Sequence, residues 1–278
     1  MIFIKIVYMK RCIKDMTTTN IVQEKRIVQN LFLGIILPLG IIILWQTASD
    51  HGIIKLSVFA SPGSIGTEFA HMIEKGTYFK HVIASLERVV YGYIIGSALG
   101  LFIGSFAVLF KTFGKMVDPL IGILRPIPAI ACIPFFILWL GIGESSKIGV
   151  IVIGAFWPVL LSTMQGIRST DPKLLELART FGKTRTATLF KIILPSAIPS
   201  IFTGLRLGIS GAWTCVVAAE MIAASAGVGY LISYGRELAQ PGTLFVGIVS
   251  IAIIGLLIDI LVIKIQKKVL YWVDTENY

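Results

Sequence analysis

The chain has 278 residues, 55% of them hydrophobic and 14% charged, with a mean hydropathy of +0.85 and a formal net charge of +10. That balance excludes an ordinary soluble domain and identifies a polytopic membrane protein, expected as an all-α helical bundle. The positive charge does not point to nucleic acid, because its distribution along the chain follows membrane topology instead.

A helix crosses the hydrocarbon with about 20 apolar residues at 1.5 Å rise each. By that ruler the sequence predicts six spans, near residues 30–48, 88–110, 118–140, 147–166, 199–223 and 244–265. The expected organisation is a tail over residues 1–29, a membrane body over 30–268 interrupted by a polar loop at 167–198, and a second tail over 269–278. With the N-terminus in the cytoplasm, the inside segments hold seventeen Lys and Arg and the outside segments five. The positive-inside rule then puts both termini in the cytoplasm of a multi-pass protein of the plasma (inner) membrane. The opening MIFIKIVYMKRCIKDM is too short for a signal-peptide core and has no small-residue cleavage site, and Met16 is an alternative start. Cys12, Cys132 and Cys215 are too scattered for a disulfide framework or a zinc site.

The first span ends in Trp45, a ring suited to the membrane interface. In the outside stretch SPGSIGTEFAHMIEK, Ser61 can cap and Pro62 can open a short surface helix, with Ile65, Phe69, Met72 and Ile73 at helical spacing. The second span carries Gly92, Gly96, Gly100 and Gly104, each four residues from the next. On a helix these form one smooth rib where another backbone can approach closely, in preference to a glycine-rich face turned to lipid.

The third span contains Pro119, Pro126, Pro128 and Pro134. Each removes a backbone donor and crowds the turn before it, so this helix is expected to be kinked or broken. The freed carbonyls must then face protein or a water-lined cavity. Pro126, Pro128 and the neighbouring Arg125 are therefore candidates for a translocation pathway, against a bend that serves packing alone. The fourth span, near 147–166, ends at a polar stretch.

Residues 167–200 interrupt the apolar pattern and lie inside by the charge count. Asp171 can cap a helix with Pro172 at its first position and Leu174, Leu175, Ala178 and Phe181 along one side. Gly182 stops it, and TRTATLFKIIL predicts a second helix closed by Pro195. The result is a compact basic knob that a soluble partner can hold, and it is several times longer than a bare connection requires.

The fifth span carries Arg206 and Glu220, the sixth Asp259. Arg206 and Glu220 join the pathway candidates. Arg125 and Arg206 can line a route for an anion, snorkel to the inner headgroups, or pair with Asp259 across helices. His51, His71 and His81 fall outside with no ligand spacing, so no metal site is expected.

The stretch ELARTFGKTRTATLFKIILP, residues 176–195, resembles the signature of binding-protein-dependent ABC importer permeases: Glu-Ala-Ala, three residues, Gly, nine residues, Ile-x-Leu-Pro. Glu176, Leu177, Ala178, Gly182, Ile192, Leu194 and Pro195 match in spacing, with Leu177 where the family prefers Ala. Further stretches, among them RPIPAIACIPFFILWLGIGESSK and AAEMIAASAGVGYLI, resemble the branch that imports aliphatic sulfonates, taurine and nitrate. The resemblance implies a type I importer permease fold, a small anionic solute, and alternating access. It also implies two cytoplasmic ATPase subunits docked on residues 176–195, an extracytoplasmic solute-binding protein and a second permease copy.

No catalytic residue or bound cofactor is expected in this chain, and ATP belongs to the partner. Gly182-Lys183-Thr184 mimics the tail of a phosphate-binding loop, but Leu177 stands where its first glycine should be. In GIGESSK, residues 141–147, Ser146 stands where glycine is required. Two other readings are a permease for another organic solute, or an ATP-independent secondary transporter. The transporter would call for a relay of paired carboxylates within the spans, which the sequence offers little of. A non-transporting membrane scaffold would leave the broken span and glycine rib without a pathway role.

Overall fold

The computed structural model describes residue 34, residues 36–54 and residues 59–272, in two compact units, residues 1–64 and 65–278. In the first unit the described part of the expected first span is helix α1, Ile36–Asp50, and the rest of that span, with both tails up to residue 33 and from residue 273, lies outside the described residues. The amide of Gly63 donates to the Gln46 side chain at 3.0 Å, tying the following chain back to α1.

Helix α2, Pro62–Glu74, begins as its sequence suggests, with Ser61 Oγ accepting from the Ser64 amide at 3.1 Å. The second unit then continues with α3, Thr77–Leu109, α4, Lys111–Leu124, and a 3₁₀ turn at Ala129–Cys132 leading into α5, Ile133–Leu140. Next come α6, Glu144–Arg168, and α7, Pro172–Thr180. Helix α8, Arg185–Thr188, passes through a π segment at Leu189–Ile193 into α9, Leu194–Ala223, followed by α10, Val228–Glu237, and α11, Pro241–Val269.

Among the described residues four helical stretches are long and apolar enough to cross a membrane, and α4 with the 3₁₀–α5 piece makes a fifth only as a pair bent by 89°. The third span, expected to be kinked or broken, is two elements meeting at about a right angle. The proline positions explain the corner. Pro119 sits within α4 and Pro134 in the first turn of α5, whereas Pro126 and Pro128 fall between them and leave the break short of amide donors.

Helix α6 is the centre of the unit. Its Val150, Ile151 and Ala155 are buried with Val89 of α3, Ile133 of α5 and Ile209, Ala212, Trp213 and Val216 of α9. The glycine rib of α3 lies against it in parallel register. A Cβ on Gly96 would stand 2.5 Å from the carbonyl oxygen of Val152, on Gly100 2.9 Å from that of Phe156, and on Gly104 2.9 Å from that of Leu160. Gly92 faces Ile151 one turn earlier. Each step of four along α3 meets a step of four along α6, the interdigitation that lets two backbones touch where lipid offers no hydrophobic drive to associate.

Along an adjoining face α6 meets α9 antiparallel. Cβ atoms on Gly204 and Gly208 would stand 3.1 Å from the carbonyls of Pro158 and Ala155. The apolar surface outside these seams stays open: Phe102, Leu256, Leu257 and Leu261 are each about 60% exposed, as expected of a surface whose solvent is lipid.

Candidate functional site

The contacts give the second unit two ends. One gathers α2, the start of α3 and α6, α10 and the start of α11; the other gathers the end of α6, α7 and the start of α9. The charged and polar groups collect at both.

At the α7 end, the Asp171 side chain accepts from the Lys173 amide at 2.8 Å and Pro172 opens the helix. Gly182, at φ +65°, closes it: its amide reaches the Arg179 carbonyl at 2.9 Å, and the Lys183 amide reaches that of Ala178 at 2.9 Å. This pair of bonds satisfies the last carbonyls, and the left-handed residue between them favours glycine. Thr184 then caps α8, its hydroxyl oxygen accepting from the Ala187 amide at 3.2 Å. Gly182 and the Thr184 cap set the join between α7 and α8, and Asp171 fixes the start of α7, so the segment is a shaped knob.

Of the signature residues, Ala178 is buried, Ile192 and Leu194 are half-buried, and Glu176, Leu177, Gly182 and Pro195 are exposed. Leu174, Leu177 and Phe181 stand 41%, 53% and 70% exposed, so the expected single apolar side divides: Ala178 packs inward and the larger side chains face outward. The enlarged residue at 177 has room because it points away from the protein. Lys173, Arg179, Lys183, Arg185 and Lys191 are exposed around this apolar patch.

Pro195 does not close the segment. The helix runs through it, because the preceding π turn has already shifted the pattern: the Leu194 amide bonds to the Leu189 carbonyl, five residues back. The wider turn admits a proline ring in the first turn of α9, where an amide proton is dispensable.

Arg125 stands at the corner between α4 and the 3₁₀ turn, exposed, and belongs to none of the ion pairs among the described residues. Pro126 and Pro128 beside it are exposed as well, and the Leu124 carbonyl, which Pro128 leaves without a helical donor, accepts from the Ile127 amide at 3.1 Å. Arg125 lines a cavity of about 510 Å³ with Leu161, Met164, Gln165, Arg168 and Ser169.

Arg206 resolves differently from a free pathway lining. Its Nε and Nη2 donate to the two carboxylate oxygens of Asp259 at 2.9 and 3.1 Å, a two-pronged bridge from α9 to α11. Pairing across helices, one of the alternatives open in the sequence, is what the side chains adopt.

Glu220 departs furthest from expectation as a pathway residue. Its side chain is fully enclosed at the α2 end, and both oxygens are taken up by protein donors. Arg88 Nη1 donates to Oε1 at 2.7 Å, the Gly229 amide to Oε2 at 2.9 Å, and the Ser85 hydroxyl lies within 2.8 Å of both. Buried charge is tolerated only when paired and hydrogen-bonded, and here it is both. Arg88 extends the cluster, donating through Nε and Nη2 to Glu144 and through Nη1 to the Ala226 carbonyl, while Lys147 reaches Glu144 at 2.8 Å. Gly227 fits against the Glu220 carboxylate only because it has no side chain.

Sequence reasoning did not single out Arg88, Glu144 or Lys147, since they lie far from Glu220 along the chain. Nothing in a linear pattern names the partner of Arg88. His81, expected at the surface, is instead half-buried: its Nδ1 accepts from the Gly227 amide at 3.1 Å and its ring stacks on Tyr230 at 5.7 Å. No group of three or more His, Cys, Asp or Glu able to hold a metal occurs among the described residues.

Residues 96–271 match the family described as binding-protein-dependent transport system inner membrane component. The chain is 39% identical over 239 residues to the putative aliphatic sulfonates transport permease protein SsuC of Bacillus subtilis, covering 86% of this chain and 87% of the relative. It is 35% identical over 196 residues to the taurine transport system permease protein TauC of Escherichia coli, covering 70% and 71%. A third relative is the bicarbonate transport system permease protein CmpB of Synechococcus elongatus, 31% identical over 254 residues, covering 85% and 90%. In fold it is similar to a chain of the MetNI methionine ABC transporter in an inward-facing conformation, with a TM-score of 0.58 and 21% identity over 69% of this chain and 96% of that one. The match across most of the bundle, including the knob and both helix seams, makes this chain a multi-pass member of the binding-protein-dependent transport system inner membrane component family.

Proposed function

We propose that the chain is the membrane-spanning subunit of an ATP-driven importer for a small anionic solute, with an aliphatic sulfonate as the leading candidate. Three curated relatives named above carry sulfonate, taurine and bicarbonate in their names, each a small molecule with an acidic oxygen-bearing group. The observation that carries the reading is the knob at residues 171–193. A loop needs no cap at each end, yet here Asp171, Gly182 and Thr184 stiffen the segment and hold Leu177 and Phe181 out toward a partner.

In this reading the α7 end faces the cytoplasm, both termini are on that side, and two ATPase subunits grip the knobs of two permease copies. A solute-binding protein delivers cargo at the α2 end. ATP binding and hydrolysis belong to the partner. Closure of the ATPase pair moves the knobs, and the bundles rock between two access states. Each bundle moves as a unit because α3, α6 and α9 touch backbone to backbone. Glu220 and Asp259 are both held in ion pairs, which weighs against a proton-relay transporter.

The test is reconstitution in proteoliposomes with the ATPase and the binding protein, following ATP hydrolysis and alkanesulfonate uptake together. Glu176→Lys and Gly182→Pro are expected to leave hydrolysis running while uptake falls at least about tenfold. Undiminished uptake by both variants, or full-rate uptake with no ATPase subunit present, would overturn the reading. Maleimide labelling of a cysteine placed at the exposed Thr186 checks sidedness independently.

A further inference from the structure

The cavity beside Arg125 has a chemistry more specific than positive charge. Four of its six lining residues, Leu161, Met164, Gln165 and Arg168, follow one another at steps of three, one and three along α6, which places them on a single stripe of that helix. Arg168 supplies a guanidinium at one end of the stripe, and Leu161 and Met164 supply an apolar floor. Arg125 brings a second guanidinium from the corner between α4 and the 3₁₀ turn, and Gln165 and Ser169 add neutral polar groups. No carboxylate is among the residues that line the cavity, and Arg168 gives one hydrogen bond, from Nη2 to Asp118 at 3.3 Å, in an exposed pair. The volume, about 510 Å³, falls within the range of small-molecule sites.

We infer that this cavity is a binding site within the membrane subunit itself for a small organic anion with a short aliphatic tail. The two guanidiniums take the anionic head, and Leu161 and Met164 take the methylenes. Arginine is suited to the head because its planar fork donates in parallel to two oxygens of a sulfonate or carboxylate. Head and tail together describe an alkanesulfonate better than inorganic sulfate, which would leave the floor unused. The site also adjoins the knob: Arg168 is the last residue of α6, and Asp171, three residues on, caps α7. An occupant therefore rests against the element that leads into the coupling segment. The assignment rests on the importer reading above for its solute class, and names the residues that meet that solute inside the permease.

The same chemistry, an acidic head on an apolar tail, is shared by anionic lipid, so the experiment separates the two. Full-length protein is placed in nanodiscs of zwitterionic lipid and titrated with ethane-, propane- and butanesulfonate and with inorganic sulfate. Expected are saturable binding of the sulfonates and affinity rising by up to about fourfold per added methylene. Arg125→Gln and Arg168→Gln should each weaken binding by at least about tenfold. Arg125→Lys retains more of it, and Leu161→Asn flattens the dependence on chain length. Equal affinity for butanesulfonate in wild type and both glutamine variants would overturn the assignment, as would sulfonate binding that is absent in zwitterionic discs while phosphatidylglycerol binds in an Arg125-dependent way. Import is measured separately: if uptake is intact but the cavity variants bind normally, the site is wrong and the importer reading survives. If binding depends on both arginines but no sulfonate is imported, the site stands and the importer reading fails.

Discussion

Arg88 and Glu220, 132 residues apart in sequence, meet at 2.7 Å in an enclosed pair that joins α3 to α9, with 7% of one side chain exposed and none of the other. The same arginine holds Glu144 at the start of α6 and the Ala226 carbonyl ahead of α10. Two further helices and the turn ahead of α10 thus converge on the one guanidinium of α3.

Removing one partner should be far worse than removing both. Arg88→Met leaves the Glu220 carboxylate buried without its cation and is expected to cost about 3–5 kcal/mol. In Arg88→Met with Glu220→Met much of that loss returns, because apolar groups of similar shape leave no charge unpaired. Thermal unfolding of the purified single and double variants in detergent reads the difference. Equal destabilisation of single and double variants would contradict the pairing.

The glycine seam makes a positional prediction. Gly96→Ala puts a methyl 2.5 Å from the Val152 carbonyl, so α3 and α6 must separate, whereas at Gly66 on α2 a Cβ meets nothing within 4 Å. Gly96→Ala is expected to destabilise by about 1–3 kcal/mol, and Gly66→Ala to be neutral or stabilising by about 0.5–1 kcal/mol. Melting curves of the two variants side by side decide it.

At Gly182 the backbone sits at φ +65° in open space, so conformation alone sets what is tolerated. Asn, which visits the left-handed region readily, should support near-normal uptake in the reconstituted system. Val, which resists that region, is expected to cost about 1–2 kcal/mol locally and to lower uptake more than hydrolysis. The ratio of solute moved to ATP consumed is the measurement.

For Arg206 and Asp259, both about 40% exposed, the interaction is weaker. A double-mutant cycle to alanine is expected to give a coupling energy of about 0.5–1 kcal/mol, discounted for that exposure. A coupling indistinguishable from zero would mean the bridge contributes nothing measurable.

The sequence was most readable where structure is local. Asp171, Pro172 and Gly182 stand at positions whose chemistry is set within a few residues, so the start and stop of α7 could be named before any fold was known. The spacing of Gly92, Gly96, Gly100 and Gly104 likewise declared a contact face. What it could not supply was the other side of each contact: that α6 carbonyls fill the rib, or that Arg88 finds Glu220. Pro195 misled because a proline normally ends a helix, and only the π turn before it, a backbone choice with no side-chain signature, lets the helix pass. The right angle after Leu124 was half visible. Clustered prolines announced a break, but its direction depends on how α4 packs, with Ile121 buried beside Ala107, Leu160 and Met164.

The unbroken run from α8 through the π segment into α9 has a mechanical corollary. Helix α9 alone has 30 residues, which at 1.5 Å each makes a shaft of about 45 Å. A swing of about 10° imposed at its base would carry the far tip about 8 Å sideways, more than the width of a water molecule and comparable to a small solute. The widened turn at Leu189–Ile193 is then the elbow where such a stroke is either passed on or absorbed, so its stiffness sets the gearing between fuel and cargo.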